Sequence, residues 1–212
     1  MKIDDKDLLN SILSSLNRID YIKPDDIPNI DLYMDQVTTF MNEQLAATRR
    51  YPDDKILTKT MINNYTKNNL LPPPDKKKYS KEHLLTLIFI YYFKGILSIS
   101  DIQHLLNPIT DRYFSENGEL DLTAIYKEVF SLEKDEAGML AKDITRKFNT
   151  SSHTFPDAPQ EERENLQLFS FLCMLSFDVY VKRMLIEKII DAKLAGKAED
   201  KPRKSGKENR KK

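Results

Sequence analysis

Residues Ile56 to Leu106 read ILTKTMINNYTKNNLLPPPDKKKYSKEHLLTLIFIYYFKGILSISDIQHLL. Thr58 is suited to cap a helix, because its hydroxyl can accept a bond from a free backbone N–H of the first turn. Behind it, Met61, Ile62 and Tyr65 fall on one face, and Lys59, Thr60, Asn63, Asn64 and Lys67 fall on the other. The pattern predicts a helix from Lys59 to about Asn69, where asparagine tolerates the left-handed conformation that closes many helices. Pro72-Pro73-Pro74 forbids continuation, since each lacks an N–H and restricts the residue before it. A lysine-rich turn follows at Lys76, Lys77 and Lys78, and Ser80 then opens LLTLIFIYYF. Ser80 reads as the cap of a helix through that run, which is apolar on every side and rich in β-formers, so a strand is the alternative. Ser98 with Asp101 forms a capping pattern ahead of Ile99, Ile102, Leu105 and Leu106, and Pro108 is expected to end that helix.

The order of these elements is similar to the DNA-binding domain of the mercury-resistance-regulator (MerR) family, whose recognition helix carries a pattern of the type T-I-R-Y-Y-E-x-x-G-L-L-x-P. The matching positions run without a gap from Met61, Ile62, Asn63, Asn64 and Tyr65 to Leu70, Leu71, Pro72 and Pro73. The family's Y-x-x-x-x-L-x-x-L-x-x-I and S-L-x-x-I-x-x-L-L are answered by Tyr79, Leu84, Leu87 and Ile90, and by Ser98, Ile99, Ile102, Leu105 and Leu106. Asn63 stands for the family's arginine, Asn69 for its helix-ending glycine, and Asp75-Lys76-Lys77-Lys78 for its glycine-containing wing. The connection from Thr48 to Leu57 is also longer than the tight turn of the motif. The chain as a whole resembles an uncharacterised bacterial family of unknown function that carries a divergent domain of this kind. The resemblance implies a winged helix-turn-helix, with Tyr79 anchoring the wing.

Working outward, apolar positions at Leu8, Leu9, Ile12, Leu13 and Leu16 predict a helix over Asp5 to Asn17. A second helix, about Tyr33 to Ala46, would turn Val37, Phe40, Met41 and Leu45 inward as the first helix of the motif. Asn117-Gly118 marks a turn, after which Asp121 to Phe148 predicts one long helix or two broken near Gly138. Residues 150–159 read as a loop, and Glu161 to Leu194 as a long helix, apolar all round in its first half. From Gly196 the chain is charged and nearly without apolar residues, which predicts disorder. The fold expected is all-α, divided into an N-terminal helix and linker (1–30), the winged unit (31–110), a helical C-terminal region (111–195) and a basic tail (196–212).

Equal numbers of basic and acidic residues leave no net charge, but the charge is segregated. Lys55 to Glu82 holds seven lysines against Asp75 and Glu82, and Lys193 to Lys212 nine basic residues against three acidic ones. A basic surface on an otherwise acidic body suits DNA. Asparagine can bond an adenine edge twice, and lysine serves guanine or phosphate. The DNA-contacting residues expected are therefore Lys59, Thr60, Asn63, Asn64 and Lys67 on the helix, with Lys76, Lys77, Lys78 and Tyr79 on the wing.

Enzymatic chemistry finds no support: His83, His104 and His153 are isolated, and no phosphate loop, dinucleotide fingerprint or nucleophile elbow occurs. The carboxylates Glu161, Glu162 and Glu164 suit a helix N-terminus. No cofactor or metal is expected. The lone Cys173 sits in an apolar run and reads as an inert core thiol. There is no basic start with an apolar segment behind it, and no run of roughly 18 apolar residues, so the expectation is a cytoplasmic protein without a membrane partner.

The partners expected are double-stranded DNA and a second copy of the chain. Phe169, Leu172, Met184 and Leu185 would hold a dimer, or the same helix would bury within its own subunit. Two other functions compete, a helical adaptor with a vestigial motif and a small-molecule-binding helical domain. Steep salt dependence favours DNA over the adaptor, and an apolar cavity among the C-terminal helices favours the ligand-binding domain.

Overall fold

Lys81–Phe93, the run whose periodicity fits helix and strand alike, is a helix, and the rest of the molecule assembles around it. Every residue from His83 to Ile90 is buried, so no polar face exists to give it a period. The computed structural model describes residues 5–16, 22–115, 118 and 120–199. In chain order the elements are α1 (Asp5–Leu16), β1 (Leu32–Tyr33), α2 (Met34–Gln44), α3 (Lys59–Lys67), β2 (Lys78–Tyr79), α4 (Lys81–Phe93), α5 (Ile99–Tyr113), α6 (Leu122–Ser151) and α7 (Gln160–Glu199). The described residues are thus mostly helical, with β1 and β2 paired antiparallel, Leu32 opposite Tyr79 and Tyr33 opposite Lys78.

The core joins Val37, Met41 and Leu45 to Ile62 and Tyr65, to the buried length of α4, and to Ile102 and Leu106. It also takes in Ile22 and Ile27 before β1, and Leu122, Tyr126 and Phe130 at the start of α6. The Tyr126 hydroxyl donates to the Ile22 carbonyl at 2.7 Å, and its ring meets Phe89 at 5.5 Å between centroids. Beyond this core, α6 and α7 run on as a hairpin. Phe148 meets Phe171 edge-on at 5.4 Å, and the side chain of Gln167 donates to the carbonyls of Ser152 and Thr154 across the turn. Lys147 is buried between Asp143 and Asp178, whose hydrogen bonds hold its amine above the ordinary lysine range.

Three expectations need correction. Pro108 does not end its helix, because α5 runs through it to Tyr113. Only the bond to the His104 carbonyl is lost, and His104 and Pro108 are both exposed, while the buried stripe Ile102, Leu106 and Thr110 continues past the interruption. Of the two readings open for 121–148, the single long helix holds: α6 runs unbroken through Gly138, since one glycine costs only about 1 kcal/mol in a helix interior. Cys173 is exposed rather than buried, because α7 has one neighbour along this stretch and Cys173 faces away from it. Helix α7 continues past Gly196 to Glu199, and the remainder of the expected tail, residues 200–212, lies outside the described residues, as does Asn117. Among the described residues no helix is long and apolar enough to cross a membrane.

Candidate nucleic-acid interface

The long connection between α2 and α3, residues 45–58, is a built structure. Asn42 on α2 donates to the Leu57 carbonyl at 3.1 Å and accepts from the Ile56 N–H at 3.2 Å. Arg49 returns to the Asn42 carbonyl at 2.7 Å, and the Lys94 amine at the end of α4 donates to the Ile56 carbonyl at 2.5 Å. Burial pushes the Lys94 amine below the ordinary lysine range. Ile56 and Leu57 are drawn into the core, which delivers Thr58 to the start of α3. None of these anchors was singled out from the sequence, because a lone asparagine on a helix carries no signal of a partner fifteen residues away.

Thr58 caps α3, its hydroxyl accepting from the Met61 N–H at 3.2 Å. At the other end Asn69 has φ 54°, the Asn69 N–H bonds the Thr66 carbonyl and the Leu70 N–H bonds the Tyr65 carbonyl at 2.9 Å. This is a Schellman closure, with buried Leu70 and Tyr65 supplying its apolar contact. Ile62 and Tyr65 face the core. Lys59, Thr60, Asn63, Asn64 and Lys67 are all exposed, and Met61, placed on the apolar side by spacing, is exposed as well. The side chain of Gln103 on α5 reaches the Asn68 carbonyl, fastening the end of α3 to the next layer.

The turn between the prolines and α4 is a tight hairpin. Lys78 donates to the Asp75 carbonyl at 2.8 Å, and the two central residues, Lys76 and Lys77, have φ of 47° and 66°. Positive φ at both centres is the signature of a type I′ turn, which normally takes Asn-Gly. Two lysines held in that conformation are strained and project from the tip with no ion pair among the described residues. Lys78 is half-buried, with its amine 5.6 Å from the ring centroid of Tyr33, and Tyr79 beneath it is buried. Lys59 pairs with Asp35, two residues beyond Tyr33. The first residue of α3 and the root of the turn therefore meet at one end of α2.

A family model described as a domain of unknown function, DUF1836, matches residues 22–129, just over half of the chain. The chain belongs to this family. No curated protein and no solved structure matches it. The DUF1836 unit begins at Ile22 and ends within α6, one residue short of Phe130, so its limits nearly coincide with the packed core around α4.

Within the DUF1836 unit one further residue supports the turn. His83 takes the third position of α4, where glutamate or glutamine usually completes a capping box. Its Nδ1 accepts the Ser80 N–H at 2.9 Å while Nε2 faces the Pro73 carbonyl at 3.4 Å, so the neutral ring ties α4 to the proline stop. Tyr79 and Phe114 meet the ring edge-on at 5.4 and 4.7 Å. Burial lowers its pKa from the ordinary value, against the opposing pull of the Pro73 hydrogen bond and of Glu82 and Asp31. Those carboxylates, with Asp75 and Lys78, border a cavity of about 340 Å³ beside the ring. The signal in the sequence was the spacing Ser80 to His83, which histidine satisfies less obviously than glutamate. Among the described residues no group of three or more histidine, cysteine or acidic side chains is placed to hold a metal ion.

Proposed function

We propose that this DUF1836 protein binds double-stranded DNA as a transcriptional regulator, with a MerR-like winged helix-turn-helix. Helix α3 reads the major groove through Asn63 and Asn64, flanked by Lys59, Thr60 and Lys67. The wing at 75–79 grips the phosphate backbone through Lys76 and Lys77. The observation that carries the reading is the pairing of an exposed, polar α3 face with a strained lysine tip rooted at the same end of α2. Phosphate contacts set register and base contacts specify, and the two parts divide along that line. A protein surface that merely needed solubility would have no reason to hold two lysines at positive φ.

Sequencing of DNA crosslinked and recovered from the native cell would give the recognised site. On that duplex, Asn63→Ala with Asn64→Ala should cost about 1–3 kcal/mol for each bidentate asparagine–adenine pair removed and leave affinity for random duplex unchanged. Equal weakening on both duplexes would remove α3 from the reading. Recovery of no enriched sequence would remove the regulator itself. The exposed apolar side of α7 supports a second copy as the protein partner, since Phe169 is 62% and Leu172 51% exposed in the single chain.

A further inference from the structure

We propose that the cleft between α5 and α7 is a binding site for a small apolar monocarboxylate, such as a medium-chain fatty acid. It encloses about 420 Å³ and is lined by Leu105, Pro108 and Ile109 from α5 and by Ile190 and Leu194 from α7, with His104 and Lys193 at its edge. The size falls within the range of small-molecule sites, which are apolar pockets with a few placed polar groups. The larger depression, by contrast, is lined by Lys142, Arg146 and Asn149 on α6 and by His153 just past its end, and no second helix contributes to it. Pro108 contributes a short ring to the lining, where a longer side chain would occupy more of the cleft. Ile190 is buried at the floor, and Leu105, Ile109 and Leu194 are half-buried walls.

The charge at the mouth selects the ligand. No acidic residue lines the cleft, and Lys193 has no ion-pair partner among the described residues. An apolar body with one terminal carboxylate matches both features. Its chain displaces water from the walls, and its carboxylate meets the Lys193 amine. A neutral alcohol of equal length would gain the first contribution without the second. A peptide would bring backbone amides for which the walls offer no partner. Nothing in this site depends on DNA binding, and it is tested without DNA.

The test is a titration of the intact protein, labelled at isoleucine δ1 methyls, with hexanoate, octanoate and decanoate below their micelle concentrations. Saturable shifts are expected at Ile109 and Ile190. Ile189, exposed on the adjacent position of the same helix, serves as an internal control and should not move. Affinity should rise about fourfold for each added methylene until the cleft is full. Lys193→Met, at an exposed position, should lower decanoate affinity about tenfold and leave 1-decanol unaffected, and Ile109→Trp should abolish binding of both. Absence of saturable shifts overturns the proposal, and so do shifts shared equally with Ile189. Equal decanoate affinity in the Lys193→Met protein overturns the carboxylate assignment.

Discussion

His83 accepts the Ser80 N–H only while its ring is neutral, because protonation would turn Nδ1 into a donor facing a donor. Burial lowers its pKa in the folded protein from the ordinary 6.5, so the unfolded chain takes up a proton first as the pH falls. Stability is therefore full above pH 6.5 and is lost as the pH drops from there toward the folded-state pKa, by at most about 1.4 kcal/mol per pH unit. His83→Gln keeps an acceptor at the same capping position and cannot titrate. Urea unfolding at pH 7.5 and 5.5 should show a smaller fall for this variant than for the parent, and identical falls would place the proton elsewhere. Asp35 is the other residue of consequence here, since its carboxylate holds Lys59 at the exposed start of α3. Asp35→Asn should release that lysine and tighten binding to any duplex, with the slope of log K against log salt steeper by up to about 0.9. Fluorescence anisotropy across a salt series reads this directly, and an unchanged slope would mean that Lys59 reaches no phosphate.

At the level of elements, the lysine turn at 75–79, the wing of the proposed reading, allows charge to be separated from conformation. Lys76→Asn with Lys77→Gly installs the Asn-Gly pair that a type I′ turn prefers, and deletes both tip cations. The double variant should fold at least as stably as the parent, while its salt slope on random duplex falls by about 1.8, at ~0.9 per phosphate contact. Undiminished binding at every salt concentration would leave these lysines as solvated surface. Lys78, half-buried against Tyr33 and beside Asp31, Asp75 and Glu82, should matter less than its two neighbours. Helix α3 was legible in advance because its information is local: Thr58, the Ile62–Tyr65 spacing, Asn69 and the prolines lie within one short segment. The bounds of α2 and α5 were legible for the same reason, apart from Pro108, where tertiary burial of Leu106 and Thr110 outweighs one missing hydrogen bond. The conformation of the turn at Lys76 and Lys77 was not legible, because Lys-Lys carries none of the glycine or asparagine signals of its turn. The anchoring of residues 45–58 through Asn42, Arg49 and Lys94 escaped for a different reason, being made of contacts distant in sequence. On α7, composition indicated how much apolar surface exists but not that Cys173, Phe177 and Tyr180 face away from α6.

For the whole molecule, that outward face is an extended run of exposed apolar side chains. Phe169, Leu172, Ser176 and Val179 follow the alternating three- and four-residue steps of a second helical seam, with Tyr180 beside it. Phe169, Phe177 and Tyr180 are 62–66% exposed and present about 400 Å² between them. Leu172 and Val179 bring the face closer to the ~800 Å² per partner of a standard interface, and Val129, Leu132, Met139 and Leu140 on α6 carry further exposed apolar area. Of the four side chains expected to hold a dimer, Phe169, Leu172 and Leu185 are exposed and Met184 is half-buried in its own subunit. A two-fold pairing of the hairpins through the Phe169 seam would give each assembly two α3 helices, and half-sites about one DNA turn, ~34–36 Å, apart. Phe169→Glu with Leu172→Glu alters only side chains that are exposed in the single chain, so each subunit should keep its fold. Light scattering should then report twice the chain mass for the parent and the single mass for the variant. Affinity for a palindromic duplex should fall by about 10²–10⁴ toward that for a half-site, while half-site affinity itself stays put. A parent protein of single mass would leave the seam without a second copy and the recognised site without a palindrome. A dimer that survives both substitutions would move the interface from α7 to the apolar side of α6.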